Sequence, residues 1–173
     1  MRRTGLRPAS WTISVRSAPS CSRTHACWSS AASIFAIVAD ASRHAEIDGS
    51  GSVKGLKEDA PRQLALGTTF GMSMKLAVPY SMSSTVIEFE QDRRIAWQTI
   101  LSGPLGRFIG GRIWRYELED ADGGTLVRET WDITRDKQRF MLRAGPVGKQ
   151  TADAMTKTLE RLAELTESSV GGT

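Results

Sequence analysis

The stretch IWRYELEDADGGTLVRETWDIT, beginning at Ile113, holds the side chains of this chain best suited to chemistry: Trp114, Tyr116, Glu129 and Trp131. It reads as two strands joined by a tight turn. Alternation along a strand puts Trp114, Tyr116 and Leu118 on one face, and likewise Val127, Glu129 and Trp131. A four-residue turn near DADG pairs Leu118 with Thr125 and Tyr116 with Val127, and makes those two faces the same. A one-residue slip instead sets Glu129 opposite Arg115 on the solvent side. The apolar match of Tyr116 with Val127 favours the first register, so Glu129 is expected to face inward. A buried carboxylate is costly unless it is paired or neutralised. In an apolar cavity, desolvation raises its pKa, and Glu129 with Tyr116 can then do acid–base work on a bound molecule. The bland alternative is an ion pair with Arg112 or Arg115 that closes a wet end of the sheet.

Further residues could wall the same space. Phe70, Met72 and Met74 alternate with polar residues in GTTFGMSMKLAVPY, and Met82, Trp97 and Met155 fall on apolar faces of later segments. Core packing accounts for each of them singly, although Met suits adaptable ligand pockets. The loop SGPLGRFIGGR carries Leu105, Phe108 and Ile109, and apolar loop residues of this kind can gate a cavity. His44, between Asp40 and Asp48, reads as a capping or surface histidine. DGSGS is a weak phosphate cradle without a lysine or a long helix after it. Cys21, His25 and Cys27 fall short of a four-ligand zinc site, and on a strand the two thiols are about 20 Å apart, too far for a disulfide. No metal or cofactor is expected. The sequence contains no Ser-His-Asp elbow, H-E-x-x-H or dinucleotide fingerprint.

The elements must position these residues. At 173 residues, 40% hydrophobic and 24% charged, the chain suits one globular domain. No apolar run reaches the roughly 20 residues of a membrane helix, so no membrane span is expected, and the reading is cytoplasmic. The net charge of +4 is uneven: residues 1–39 hold five arginines and no acid, and the remainder carries 18 basic against 19 acidic groups. A near-neutral body lacks the basic stripe of a nucleic-acid binder, so no nucleic-acid partner is expected. Residues 1–20, rich in Arg and Ser, are read as a poorly ordered basic arm. An organellar transit peptide or a misassigned start explains that composition, and the second is favoured. The domain is placed at 21–168, with a tail at 169–173.

SCSRTHACW can form a first strand. Ser29 or Ser30 then caps a helix through Ile34, Phe35, Ile37 and Val38, and Asp40 caps a second short one, ASRHAEI. SVKGLKE, GTTFGMSMKLAVPY, SMSSTVIEFEQ and RRIAWQTIL read as strands ahead of the hairpin, an antiparallel meander with short polar turns. TADAMTKTLERLAELTE is the clearest helix, with Ala152, Met155, Leu159, Leu162 and Thr166 on one stripe. Together these give an α+β chain.

The order strand, two short helices, meander, long final helix resembles the START-like helix-grip fold. IFAIVADASRHAEIDGSG, VIEFEQDRRIAWQT, WRYELEDADGGTLVRETWDIT and MTKTLERLAELTE are similar to the SRPBCC superfamily, in its polyketide cyclase/dehydrase or lipid-transport group. The resemblance implies a curved sheet of about 6–7 strands gripping the C-terminal helix, with a hydrophobic cavity between them. It also implies binding or carriage of a lipid, polyketide or quinone-like molecule, with a cyclase or dehydratase using Glu129 and Tyr116 as the alternative.

Overall fold

A computed structural model describes residues 10–16, 30–75, 77–121 and 124–170. In chain order the elements are β1 (Ser10–Arg16), α1 (Ala31–Val38), a 3₁₀ turn (Ala41–Arg43), α2 (His44–Ile47), β2 (Val53–Leu56), β3 (Thr69–Lys75), β4 (Pro79–Glu90), β5 (Arg94–Leu101), a second 3₁₀ turn (Pro104–Arg107), β6 (Gly110–Ala121), β7 (Gly124–Asp132), α3 (Arg139–Ala144) and α4 (Val147–Val170). Seven antiparallel strands form one sheet in the order β1-β7-β6-β5-β4-β3-β2. Bulges interrupt the register between Val86 and Glu88 and between Thr99 and Ile100, where they bend the strands. The helix-grip architecture expected from the sequence is the one observed.

The helix starts are where capping chemistry puts them. The Ser33 amide donates to Ser30 Oγ at 3.2 Å, and the Ser42 amide donates to Asp40 Oδ1 at 2.9 Å. Buried Ile34, Phe35, Ile37 and Val38 of α1 join Leu159 and Leu162 of α4 in the main core against the sheet. The DGSGS loop is structural: Asp48 accepts hydrogen bonds from the amides of Ser50 and Val53, so its carboxylate organises the turn. Gly49 sits so close to α4 that a Cβ there would lie 2.1 Å from the Ala154 carbonyl oxygen. Its amide donates to Thr158 Oγ1 at 3.0 Å, which fixes the seat of the long helix.

Two expectations are corrected. Residues 10–16 are not arm: SWTISVR pairs with β7 from Ser10↔Asp132 to Arg16↔Leu126. Trp11, Ile13 and Val15 alternate with polar residues, a period-two pattern that the surrounding Arg and Ser obscure. The strand expected in SCSRTHACW lies outside the described residues, as do Cys21, His25 and Cys27. The second correction concerns the hairpin, which closes with Ala121↔Gly124 over two residues and not four. Those two, 122–123, are Asp-Gly, the pair that a two-residue hairpin favours. The register therefore moves two positions from expectation, to Leu118↔Val127, Tyr116↔Glu129 and Trp114↔Trp131. A two-residue move preserves the faces, so Glu129 still points inward.

Candidate functional site

That register decides the local chemistry. Glu129 lies on β7 between Tyr116 of β6 and Ile13 of β1. Val127 and Trp131 flank it along its own strand on the same face. Of its two cross-strand neighbours one is thus apolar and the other a phenol, whose hydroxyl donates to Glu129 Oε1 at 2.8 Å. Glu129 is only 2% exposed, and its other oxygen, Oε2, is buried with no hydrogen-bond partner among the described residues.

The electrostatics follow from the burial. Loss of water pushes the Glu129 carboxyl up to about 8, with the charge of Asp48 adding in the same direction and the Tyr116 hydrogen bond opposing both. The Tyr116 phenol is itself pushed well above its ordinary value, first by burial and then by the neighbouring carboxyl. At neutral pH the pair is a carboxylic acid beside a phenol. With Oε1 accepting from Tyr116, the acid proton belongs on Oε2, which leaves one strong O–H donor without an acceptor. The arginine pairing does not form. Arg112 binds Asp136 at 2.8 Å, and Arg115 binds Glu88 at 2.6 and 3.0 Å on the other face.

A column of rings leads away from this acid. Tyr116 stacks on Trp97 with centroids 5.6 Å apart, and Trp97 stacks on His44 at 5.1 Å. Phe70 meets both Trp97 and His44 edge-on, at 6.0 and 5.7 Å. His44 is buried, with Nε2 2.8 Å from the Val38 carbonyl oxygen. Nε2 therefore donates, and burial lowers the imidazole pKa and keeps it neutral. Of the two expectations for His44, capping holds, since Nε2 donates to the last carbonyl of α1, and a surface position is corrected, since the ring is buried. Ile47, three residues on and also buried, marks a shared helix face that the sequence displays.

The other expected wall residues separate into groups. Phe70, Met72, Trp97 and Tyr116 belong to the main core, with Met74 half-buried against it. Trp131 and Met155 form a second cluster with Ile133, and Trp114 packs against both clusters, its ring 6.0 Å from that of Trp131. Met82 is buried on β4. Leu105 and Phe108 are exposed, whereas Ile109 is half-buried. A groove of about 690 Å³ opens at the β2–β3 edge between Leu56 and Ser73, and of the expected wall residues it touches Phe70. Among the described residues, no group of His, Cys, Asp and Glu has the arrangement of a metal site.

Solved structures overlie the fold along nearly its whole length. Ginseng major latex-like protein 151 from Panax ginseng superposes with a TM-score of 0.60 at 7% identity, over 92% of this chain and 99% of its own. The chain has the SRPBCC-like helix-grip fold. DynU16, from the dynemicin biosynthetic locus, shares the SRPBCC-like fold with a TM-score of 0.58 at 14% identity, over 92% of this chain and 48% of its own. In sequence, the chain is 39% identical over 141 residues to the uncharacterized protein Rv0088 of Mycobacterium tuberculosis. That match takes in 78% of this chain, which spans 58% of the relative's length. No family model matches the sequence. Among the described residues, no helix is long and apolar enough to cross a membrane.

Proposed function

We propose that the domain binds a hydrophobic small molecule bearing at least one oxygen acceptor, a ketone, quinone or polyketide, and holds that oxygen with Glu129. The observation that carries this reading is the buried Glu129 carboxyl, raised by desolvation, with Oε2 unpartnered while Tyr116 holds Oε1. A neutral carboxylic acid in an apolar wall is a donor that water cannot satisfy, so a ligand carbonyl reaching Oε2 gains a hydrogen bond without competition from solvent. Aromatic and aliphatic neighbours supply the apolar contact. The likeness to a major latex-like protein supports the carrier side of this reading at the level of fold.

The test uses tryptophan emission with two probes of matched shape, a polycyclic ketone and its parent hydrocarbon. The ketone is expected to bind saturably and more tightly. Glu129→Gln keeps a donor and holds ketone affinity within a few-fold. Glu129→Leu removes the donor and weakens the ketone by about tenfold, the worth of one buried hydrogen bond, and leaves the hydrocarbon unchanged. Equal loss for both probes would mean that the substitution acts through packing, and the reading would fall.

One observation favours a second reading, in which the domain catalyses cyclisation or dehydration of a polyketide. A carboxyl near 8 beside a phenol can take up and return a proton close to neutral pH. On that reading Glu129→Gln lowers turnover by roughly 10²–10⁴-fold with binding preserved. The likeness to DynU16 from a biosynthetic locus makes polyketide substrates the first to try.

A further inference from the structure

Seven large apolar residues are markedly exposed among the described residues, and five of them gather at one end of the domain. Ile100, Leu105 and Phe108 lie at the β5–β6 connection, and Phe140 and Met141 on α3. Leu105, Phe108, Phe140 and Met141 are each more than half exposed, at 59%, 57%, 67% and 64%. The two segments are laced together. Lys137 Nζ donates to the carbonyls of Gly106 and Arg107, its amide donates to Gly110, and Arg112 binds the buried Asp136. The apolar side chains therefore sit on one braced surface and not on two independent loops.

Charge sets this surface apart. Residues 102–112 and 133–150 carry seven basic side chains, and their one acid is Asp136, which Arg112 already holds. The rest of residues 30–173 has eleven basic and eighteen acidic groups. A positive end thus projects from a negative body. Two of its arginines lie over its own exposed rings, Arg107 at 4.5 Å from the centre of Phe108 and Arg139 at 4.6 Å from that of Phe140. Exposed apolar side chains ringed by cations match a bilayer interface, where rings enter the acyl boundary and guanidinium groups stay with the phosphates. A nucleic acid would use the charge but leave four exposed apolar side chains without a purpose.

We propose that this end, formed by the Pro104–Arg107 turn with Phe108 and by α3, docks reversibly on an anionic lipid bilayer. The surface stands whatever ligand the interior holds. A carrier of apolar molecules gains from such a dock, because its cargo partitions into membranes.

The experiment is vesicle co-sedimentation of the full chain, with phosphatidylcholine vesicles containing phosphatidylglycerol or lacking it. Binding is expected with the anionic vesicles, falling as salt rises. The double variant Phe108→Ser, Phe140→Ser is expected to lose tenfold or more in affinity at low salt, and Arg107→Glu with Arg139→Glu likewise. Leu66→Ser, an equally exposed residue outside this end, should leave binding unchanged. Circular dichroism checks that each variant folds, and probe binding to vesicle-free protein tests the interior separately. No binding to anionic vesicles, or binding indifferent to the Phe variants, would overturn the proposal. So would tighter, Phe-independent binding to a DNA duplex, or Phe-dependent self-association on gel filtration without vesicles.

Discussion

Glu129→Gln is expected to flatten the fall in stability of this domain between about pH 5 and pH 8, and to make it more stable than the native chain above that window. The Glu129 carboxyl titrates near 8 in the fold and near 4.5 when exposed to water. Between those values the folded chain binds the extra proton, so its stability declines as pH rises, by up to about 1.4 kcal/mol per pH unit for one group. Below the window both states are protonated, so the acid's contribution is fully present and adds no pH dependence. Glutamine keeps the shape and the contact with Tyr116 and does not titrate. His44 acts with the opposite sign: its pKa is lowered in the fold, so stability is lost as pH falls below about 6.5 in native chain and variant alike. Glu88, held low first by its hydrogen bond to Arg115, acts in the more acidic range. Denaturant midpoints measured from pH 5 to 9 are the test. Parallel profiles for the two chains would show that Glu129 is ionised and solvated in solution.

Deleting residues 1–19 is expected to lower the melting temperature by more than about 10 °C, or to leave an aggregating chain. The deletion removes β1, whose seven residues all pair with β7. It bares the β7 edge, a template for unwanted pairing, and takes away Ile13 and the contact of Thr12 Oγ1 with Thr130 Oγ1 at 3.0 Å. Ile13 is also the neighbour that walls Glu129 on the side away from Tyr116. A shorter deletion that stops before Ser10 keeps every pair and is expected to melt within a few degrees of the full chain. If the longer deletion melted with it, β1 would be dispensable in solution.

How far the sequence could be read depended on how local each signal was. The α4 stripe of Met155, Leu159 and Leu162 and the caps at Ser30 and Asp40 are short-range patterns, and all appear in the fold. The inward face of Glu129 was legible because it needs only period two and an odd sum of paired residues. Its partner was not, since the choice between Val127 and Glu129 opposite Tyr116 hangs on whether Asp122-Gly123 alone makes the turn. β1 was hidden by composition, as Ser, Thr and Arg together outnumber three alternating apolar residues in a window of seven. The burial of His44 was not legible because stacking on Trp97 is a contact between residues 53 apart, from a helix to the fourth strand of the meander. No pattern within α2 states it.

The position of β1 also orders events in time. Strands β2 to β7 follow one another as neighbours in both sequence and space, whereas β1 must meet a partner 110 to 122 residues away, from Arg16↔Leu126 to Ser10↔Asp132. Closing so long a loop is slow compared with zipping a meander. With β1 undocked, the side of Glu129 that Ile13 covers would be open to water. Docking of β1 is therefore expected to come late and to be accompanied by uptake of a proton at neutral pH. Refolding in a weakly buffered dye at pH 7 should record proton uptake in the slowest phase, and Glu129→Gln should fold through the same phase without it.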